Sequence, residues 1–220
     1  YTVALDGRMK ETLVFAHPKA DVSGFVRTGR RDRVVGVSYV TDKRQAHIFD
    51  QELDRLTKSL AKALPDLPLI QIVDSSVDES KLLLWAGSDT DPGRYYLFDR
   101  KARQLSELMP SRRGFENVQL ASVKPVSFPA ADGTMVPAYL TQPPGKENAK
   151  GLPAIVMPHG GPGARDEWGF DWLSQFFANR GFAVLQPNFR GSAGYGDAWF
   201  RQNGFQNWKI AIGDVEDGGR

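Results

Sequence analysis

The chain has 220 residues, room for one large domain or parts of two, and no cysteine, which excludes disulfides, a thiol nucleophile and thiolate metal sites. With 41% hydrophobic and 25% charged residues it is ordinary globular material, and a formal charge of +2 gives no reason to expect nucleic acid or an anionic surface as partner. No apolar run approaches the ~20 residues that span a bilayer, so a soluble protein without membrane association is expected. No signal peptide is visible, but the chain begins at Tyr1, and cytoplasm and periplasm both stay open. Oligomeric state is equally open, a homo-oligomer of the full-length protein included.

Residues 1–120 read mostly as short strands. Candidates are 11-ETLVFAHP-18, 33-RVVGVSYV-40 and 45-QAHIFD-50, with 41-TDKR-44 as a polar hairpin turn. One helix interrupts over 50–64, where Leu53, Leu56, Leu60 and Leu64 recur at helical spacing before Pro65. Strands resume at 69-LIQIV-73, 81-KLLLWAG-87, 94-RYYLFD-99 and 103-RQLSEL-108. The segments 33–56 and 81–105 each hold two strands around a polar turn and pass through Phe-Asp, which suggests a repeated four-stranded unit. Short strands and charged turns at about ten-residue spacing fit a sandwich or propeller blades.

The character changes near Ala121. Asp132-Gly133 marks the turn of a hairpin over 123–145. The unalternated run 152-LPAIVM-157 predicts a strand buried on both faces. A helix is expected over 169–180, with Trp172, Phe176 and Phe177 on one side and Gly181 as its stop. A second buried strand, 182-FAVLQP-187, and a helix over 196–203 come next, and 213-GDVEDGGR-220 reads as the opening of a further helix. Strand, helix, strand, helix predicts a mostly parallel α/β sheet.

Two glycine-rich stretches succeed the two buried strands: 159-HGG-161 and 188-NFRGSAGYG-196. In open parallel sheets ligands bind beyond the C-terminal strand ends. Gly160 and Gly161 can turn sharply there and aim N–H groups outward, as an oxyanion hole requires, although a plain strand-to-helix turn has the same letters. His159 has no evident nucleophile to serve and is read as shaping the loop through backbone bonds. Gly191, Gly194 and Gly196 do not match a dinucleotide fingerprint, and no phosphate-binding loop or metal-ligand spacing occurs. No serine lies in G-x-S-x-G; Ser192 comes nearest, with Arg190 where the first glycine belongs.

Residues 121–220 resemble the catalytic domain of the prolyl oligopeptidase family of serine peptidases, in its acylaminoacyl-peptidase and dipeptidyl-aminopeptidase-like branch. The residues carrying the likeness are 132-DGTMVPAYL-140, 152-LPAIVMPHGGPGARDEWGFD-171, 175-QFFANRGFAVLQPNFRGSAGYG-196 and 213-GDVEDG-218. The resemblance implies that residues 1–120 are the last blades of a β-propeller and 121–220 the start of an α/β-hydrolase domain. It implies hydrolysis of short peptides near the N-terminus by a Ser-His-Asp mechanism without metal or cofactor. It assigns Gly161 as an oxyanion-hole N–H donor, His159 and Gly160 as loop-shaping, and Asn188, Arg190, Gly191 and Ser192 to the vicinity of the substrate. The triad is expected beyond Arg220, so this stretch alone should be inactive. An esterase or lipase of the same fold, or a non-catalytic remnant ending at Arg220, are the competing readings.

Overall fold

The computed structural model describes residues 1–29, 31–161, 163–201 and 207–220. Thr2–Val3 (β1) and Glu11–Thr12 (β2) form a small antiparallel pair. Strand structure ends there: of the expected strand over 11–18, residues 13–18 run as irregular chain. Their anchors are rings rather than a ladder, with Phe15 stacked on His47 at 4.7 Å and His17 on Tyr39 at 4.9 Å.

Val22–Thr28 (β3), Arg33–Val40 (β4) and Arg44–Ile48 (β5) make an antiparallel three-stranded sheet. Gln51–Ala63 (α1) comes next. Leu69–Ser75 (β6), Lys81–Gly87 (β7), Arg94–Asp99 (β8) and Gln104–Pro110 (β9) make a four-stranded antiparallel meander. The repeat expected from the two Phe-Asp segments therefore holds for the hairpins and breaks immediately after them. Asp50 accepts from the N–H groups of Glu52 and Leu53 and caps a helix. Asp99 accepts from Lys101 and Ala102 in the same way, yet the chain goes on to a strand. The difference lies downstream. Residues 51–64 place leucines every three or four positions, whereas Arg103 adopts φ 53° and redirects the chain into β9. Leu53 and Leu60 of α1 are buried with Val35, Ile48, Leu82, Leu84 and Phe98, so the helix and both sheets share one core.

Val123–Pro129 (β10), Met135–Thr141 (β11), Ala154–Val156 (β12) and Ala183–Pro187 (β13) form the last sheet, in the order β10-β11-β13-β12. The Asp-Gly turn closes the β10–β11 hairpin, with Gly133 at φ 83°. β12 and β13 run parallel, joined through Trp172–Ala178 (α2). β12 is short and its Ala154 is exposed, contrary to a strand covered on both faces. It pairs with β13 alone among the described residues, which leaves its other edge open.

The burial of α2 also differs from the expectation. Ser174, Gln175 and Ala178 are buried, while Trp172 and Phe176 are exposed. Gln175 explains part of this. Its Oε1 accepts from Ala121 N–H at 2.8 Å, and its Nε2 donates to the carbonyls of Ala121 (2.7 Å) and Asp89 (3.1 Å). One amide thus satisfies both backbone groups of a fully buried residue where the two compositions meet, which otherwise would cost their desolvation.

Asp197–Arg201 (α3) and Trp208–Asp217 (α4) complete the chain. Residues 202 and 203 of the expected 196–203 helix lie outside the described residues. The tail read as the opening of a helix is instead its latter half: α4 begins at Trp208, and Gly213 sits inside it. A lone interior glycine weakens a helix without ending it, and the residue of α4 that is buried is Asp214, just after it.

Gln175→Ala should destabilise the protein by about 2–4 kcal/mol by stranding the buried groups of Ala121. Urea denaturation with an unchanged slope and a lower midpoint is the expected result.

Candidate functional site

Parallel pairing sets the site's position. Val156 lies beside Leu185, so the loops leaving β12 and β13 emerge at the same sheet edge. The two glycine-rich stretches of the sequence are therefore neighbours in space. His159 Nε2 lies 2.7 Å from Ser192 Oγ, and the imidazole stacks on the Phe189 ring at 4.5 Å and 17°.

This histidine–serine contact has the distance of a catalytic pair but the wrong proton arrangement. The Ser192 hydroxyl donates to the Phe189 carbonyl at 2.6 Å, so its one proton is committed. Ser192 Oγ must then accept from His159, which makes Nε2 the protonated nitrogen. Ser192 is also fully buried. Burial lowers the His159 pKa, and the Arg165 charge adds to this, against an opposing contact with the Gly160 carbonyl. Burial thus favours the neutral imidazole. The expectation of a loop-shaping histidine anchored on backbone changes in detail: Nδ1 lies 3.2 Å from Gly160 O, but the short bond is to a side chain.

Gly160 and Gly161 are exposed at the loop tip, and Gly161 has φ 53°. That conformation disfavours any residue with a Cβ. Its carbonyl accepts from Ala164 N–H at 2.7 Å, while its own N–H has no partner among the described residues.

The residues expected near the substrate are mostly spent on internal bonds. Asn188 is fully buried, and its Oδ1 accepts from Asp166 N–H at 2.8 Å. Its Nδ2 donates to Asp166 O (3.1 Å) and to Tyr195 Oη (2.8 Å). The amide thus fixes the β12–α2 loop to the end of β13. Arg190 donates from Nε and Nη2 to Asp214 of α4, at 3.0 Å and 2.6 Å, and from Nη1 to Asp132 at 2.5 Å. Both carboxylates raise the Arg190 pKa, Asp214 first, and Asp132 is held down to about 2 chiefly by Arg190. The Arg190 backbone N–H also donates to Asp214 at 2.9 Å. Arg190 is therefore a clamp between the β10–β11 turn, the β13 loop and α4. Gly191, at φ 102°, donates its N–H to Trp199 O at 3.0 Å.

Several participants carried no sequence signal. Asp132 reads as a turn residue, and Asp214 lies 24 positions from its partner. Asp166 is another. Its Oδ1 accepts from Gln186 at 3.2 Å, but its buried Oδ2 has no partner among the described residues. Burial, then the nearby Asp171 charge, push its carboxyl up to about 6. No group of three or more His, Cys, Asp or Glu suited to a metal occurs among the described residues. No helix among them is long and apolar enough to cross a membrane.

A glycine loop whose Gly161 N–H has no partner among the described residues joins the third strand of a partly parallel sheet to the helix after it, a layout that α/β-type hydrolases share. Comparison with known proteins narrows it. Residues 168–217 match the family model of the prolyl oligopeptidase family. Dipeptidyl aminopeptidase BIII of Pseudoxanthomonas mexicana is 32% identical over 196 residues, covering 85% of this chain and 28% of its own. Dipeptidyl peptidase family member 6 of Caenorhabditis elegans is 33% identical over 211 residues, covering 87% and 28%. Among solved structures, a prolyl endopeptidase superposes with TM-score 0.67 at 16% identity, over 93% of this chain and 29% of that one. The chain is a member of the prolyl oligopeptidase family, and it spans about 28% of the length of these curated relatives.

The Asp166 shift has a defined sign. Its folded pKa, about 6, lies above the ordinary 3.8, so the folded state keeps a proton that the unfolded state loses. Stability should fall as pH rises between these values, and the full penalty persists above them. Asp166→Asn should flatten that decline and melt above wild type at pH 7.5 but not at pH 4, by calorimetry across the range.

Proposed function

We infer that this chain is part of a serine peptidase that hydrolyses short peptides near their N-termini. In this reading residues 1–120 are the end of a β-propeller, and residues 121–220 are the first part of an α/β-hydrolase domain. The nucleophilic serine, with its histidine and aspartate, belongs to the remainder of a longer protein.

The observation that carries the reading is Gly161. It comes after β12 at φ 53°, its N–H has no partner among the described residues, and it lies in the strand-to-helix loop that supplies an oxyanion donor in α/β-hydrolases. When a serine attacks a peptide carbonyl, charge gathers on the oxygen. The Gly161 N–H would donate to that oxygen, beside a second N–H from the residue after the nucleophile. His159 is not the base in this scheme, since its Nε2 donates to Ser192 Oγ, whose own proton goes to the Phe189 carbonyl. Asn188, Arg190 and Ser192 keep the two loops in place rather than touch substrate. The sheets of residues 22–110 would gate access by size, which favours peptides over proteins.

The test uses the full-length protein. It should react with a fluorophosphonate probe and hydrolyse aminoacyl- or dipeptidyl-nitroanilides faster than short fatty esters. Gly161→Ala keeps the loop length but opposes its left-handed conformation, and should lower kcat with a smaller change in KM. Complete loss of one oxyanion donor sets the upper bound, at about 10²–10³-fold. Absence of labelling in a folded full-length protein, or hydrolysis confined to esters, would contradict the peptidase reading.

A further inference from the structure

We propose that the β4–β5 turn is a positioning element for the Gly161 loop, acting through the Arg44–Glu167 pair and Arg165. This rests on the peptidase reading above.

The contacts are concentrated and directional. Arg44, at the start of β5, grips Glu167 with both arms of its guanidinium, Nε to Oε2 at 2.9 Å and Nη2 to Oε1. Its third nitrogen donates to Ser38 of β4 at 3.3 Å, so the arginine is braced from its own sheet. From the opposite side Arg165 reaches the carbonyls of Val40 at 3.5 Å and Thr41 at 3.4 Å, and donates to Tyr195 Oη at 3.0 Å. Its guanidinium also lies over the Tyr195 ring, 4.4 Å from the centroid. Gly194 leaves room for it: a Cβ there would come within 2.6 Å of Arg165 Nη1. Tyr139 of β11 donates to Asp42 O at 2.7 Å and anchors the same turn.

These bonds converge on residues 165–167, a few positions after Gly161. Two backbone bonds continue the path: Ala164 N–H to Gly161 O at 2.7 Å, and Ala193 N–H to Ala164 O at 2.9 Å. The turn therefore holds the rear of the loop whose front presents the Gly161 N–H. Such a brace has a functional consequence, because a donor misplaced by about 1 Å can cost on the order of 10²-fold in rate. Arg44 and Glu167 are both partly shielded, with about a third of each side chain exposed (31% and 29%), and the pair is bidentate, the geometry in which a carboxylate–guanidinium contact orients its neighbours.

The experiment is a double-mutant cycle in the full-length protein: Arg44→Glu, Glu167→Arg and the double exchange of charges. Hydrogen exchange of the 158–168 amides and steady-state kinetics are both read. Each single variant should exchange several-fold faster in this segment and show a lower kcat with KM little changed. The charge-exchanged double variant should recover both. Unchanged exchange in the single variants, or a double variant no better than either, would overturn the brace. Faster exchange with unaltered kcat would overturn its role in positioning the donor. Failure of the peptidase reading is seen separately, as wild type that neither labels with fluorophosphonate nor hydrolyses peptides, while exchange still decides the contact.

Discussion

Three residue pairs determine where this molecule's chemistry can lie. Ala154, Ile155 and Val156 run parallel to Ala183, Val184 and Leu185, and that direction sends both outgoing loops from one sheet edge. An antiparallel pairing would have put 159-HGG-161 and 188-NFRGS-192 at opposite ends of the strands. A parallel pair needs a crossover, and α2 provides it. His159 can meet Ser192 and Asn188 can hold Asp166 because these strands share a direction. Whatever Gly161 does, it does at a place fixed by this short ladder.

Around that ladder the structure spends polar side chains on its own backbone. Asn188 mimics a strand partner for Asp166, and Gln175 does the same for Ala121. Arg190 ties the β10–β11 turn and the loop after β13 to α4. Breaking a buried ion pair such as Arg190–Asp214 by removing one partner typically costs about 3–5 kcal/mol, because the remaining charge is stranded. These groups are thus engaged within the chain. The Gly161 N–H, without a partner among the described residues, lies at the exposed tip of the loop so held.

Much of the architecture was legible because its signals are local. Leucine spacing and Pro65 delimit α1, the Asp-Gly pair marks the β10–β11 turn, and each glycine-rich stretch succeeds a strand. Legibility ends where distant partners decide. Residues 13–18 are apolar enough for a strand but are held by ring stacking. The aromatic side of α2 has the composition of a core face, yet Gln175 and Ser174 turn inward to satisfy buried backbone and Gln186. Ser192 next to His159 could not be seen across 33 positions, nor could the hydroxyl's commitment to Phe189, which separates this contact from a catalytic dyad. Arg44 and Glu167 lie 123 positions apart, beyond any periodic pattern.

The central claim is that Gly161 supplies a hydrogen bond to a developing oxyanion. The most direct measurement is a crystal structure of the full-length protein covalently labelled by a phosphonate, whose oxygen stands in for that anion. The account predicts a phosphonyl oxygen about 2.7–3.1 Å from Gly161 N, with the loop otherwise unchanged. A phosphonate whose oxygen is bound by other donors, with Gly161 facing solvent, would contradict it.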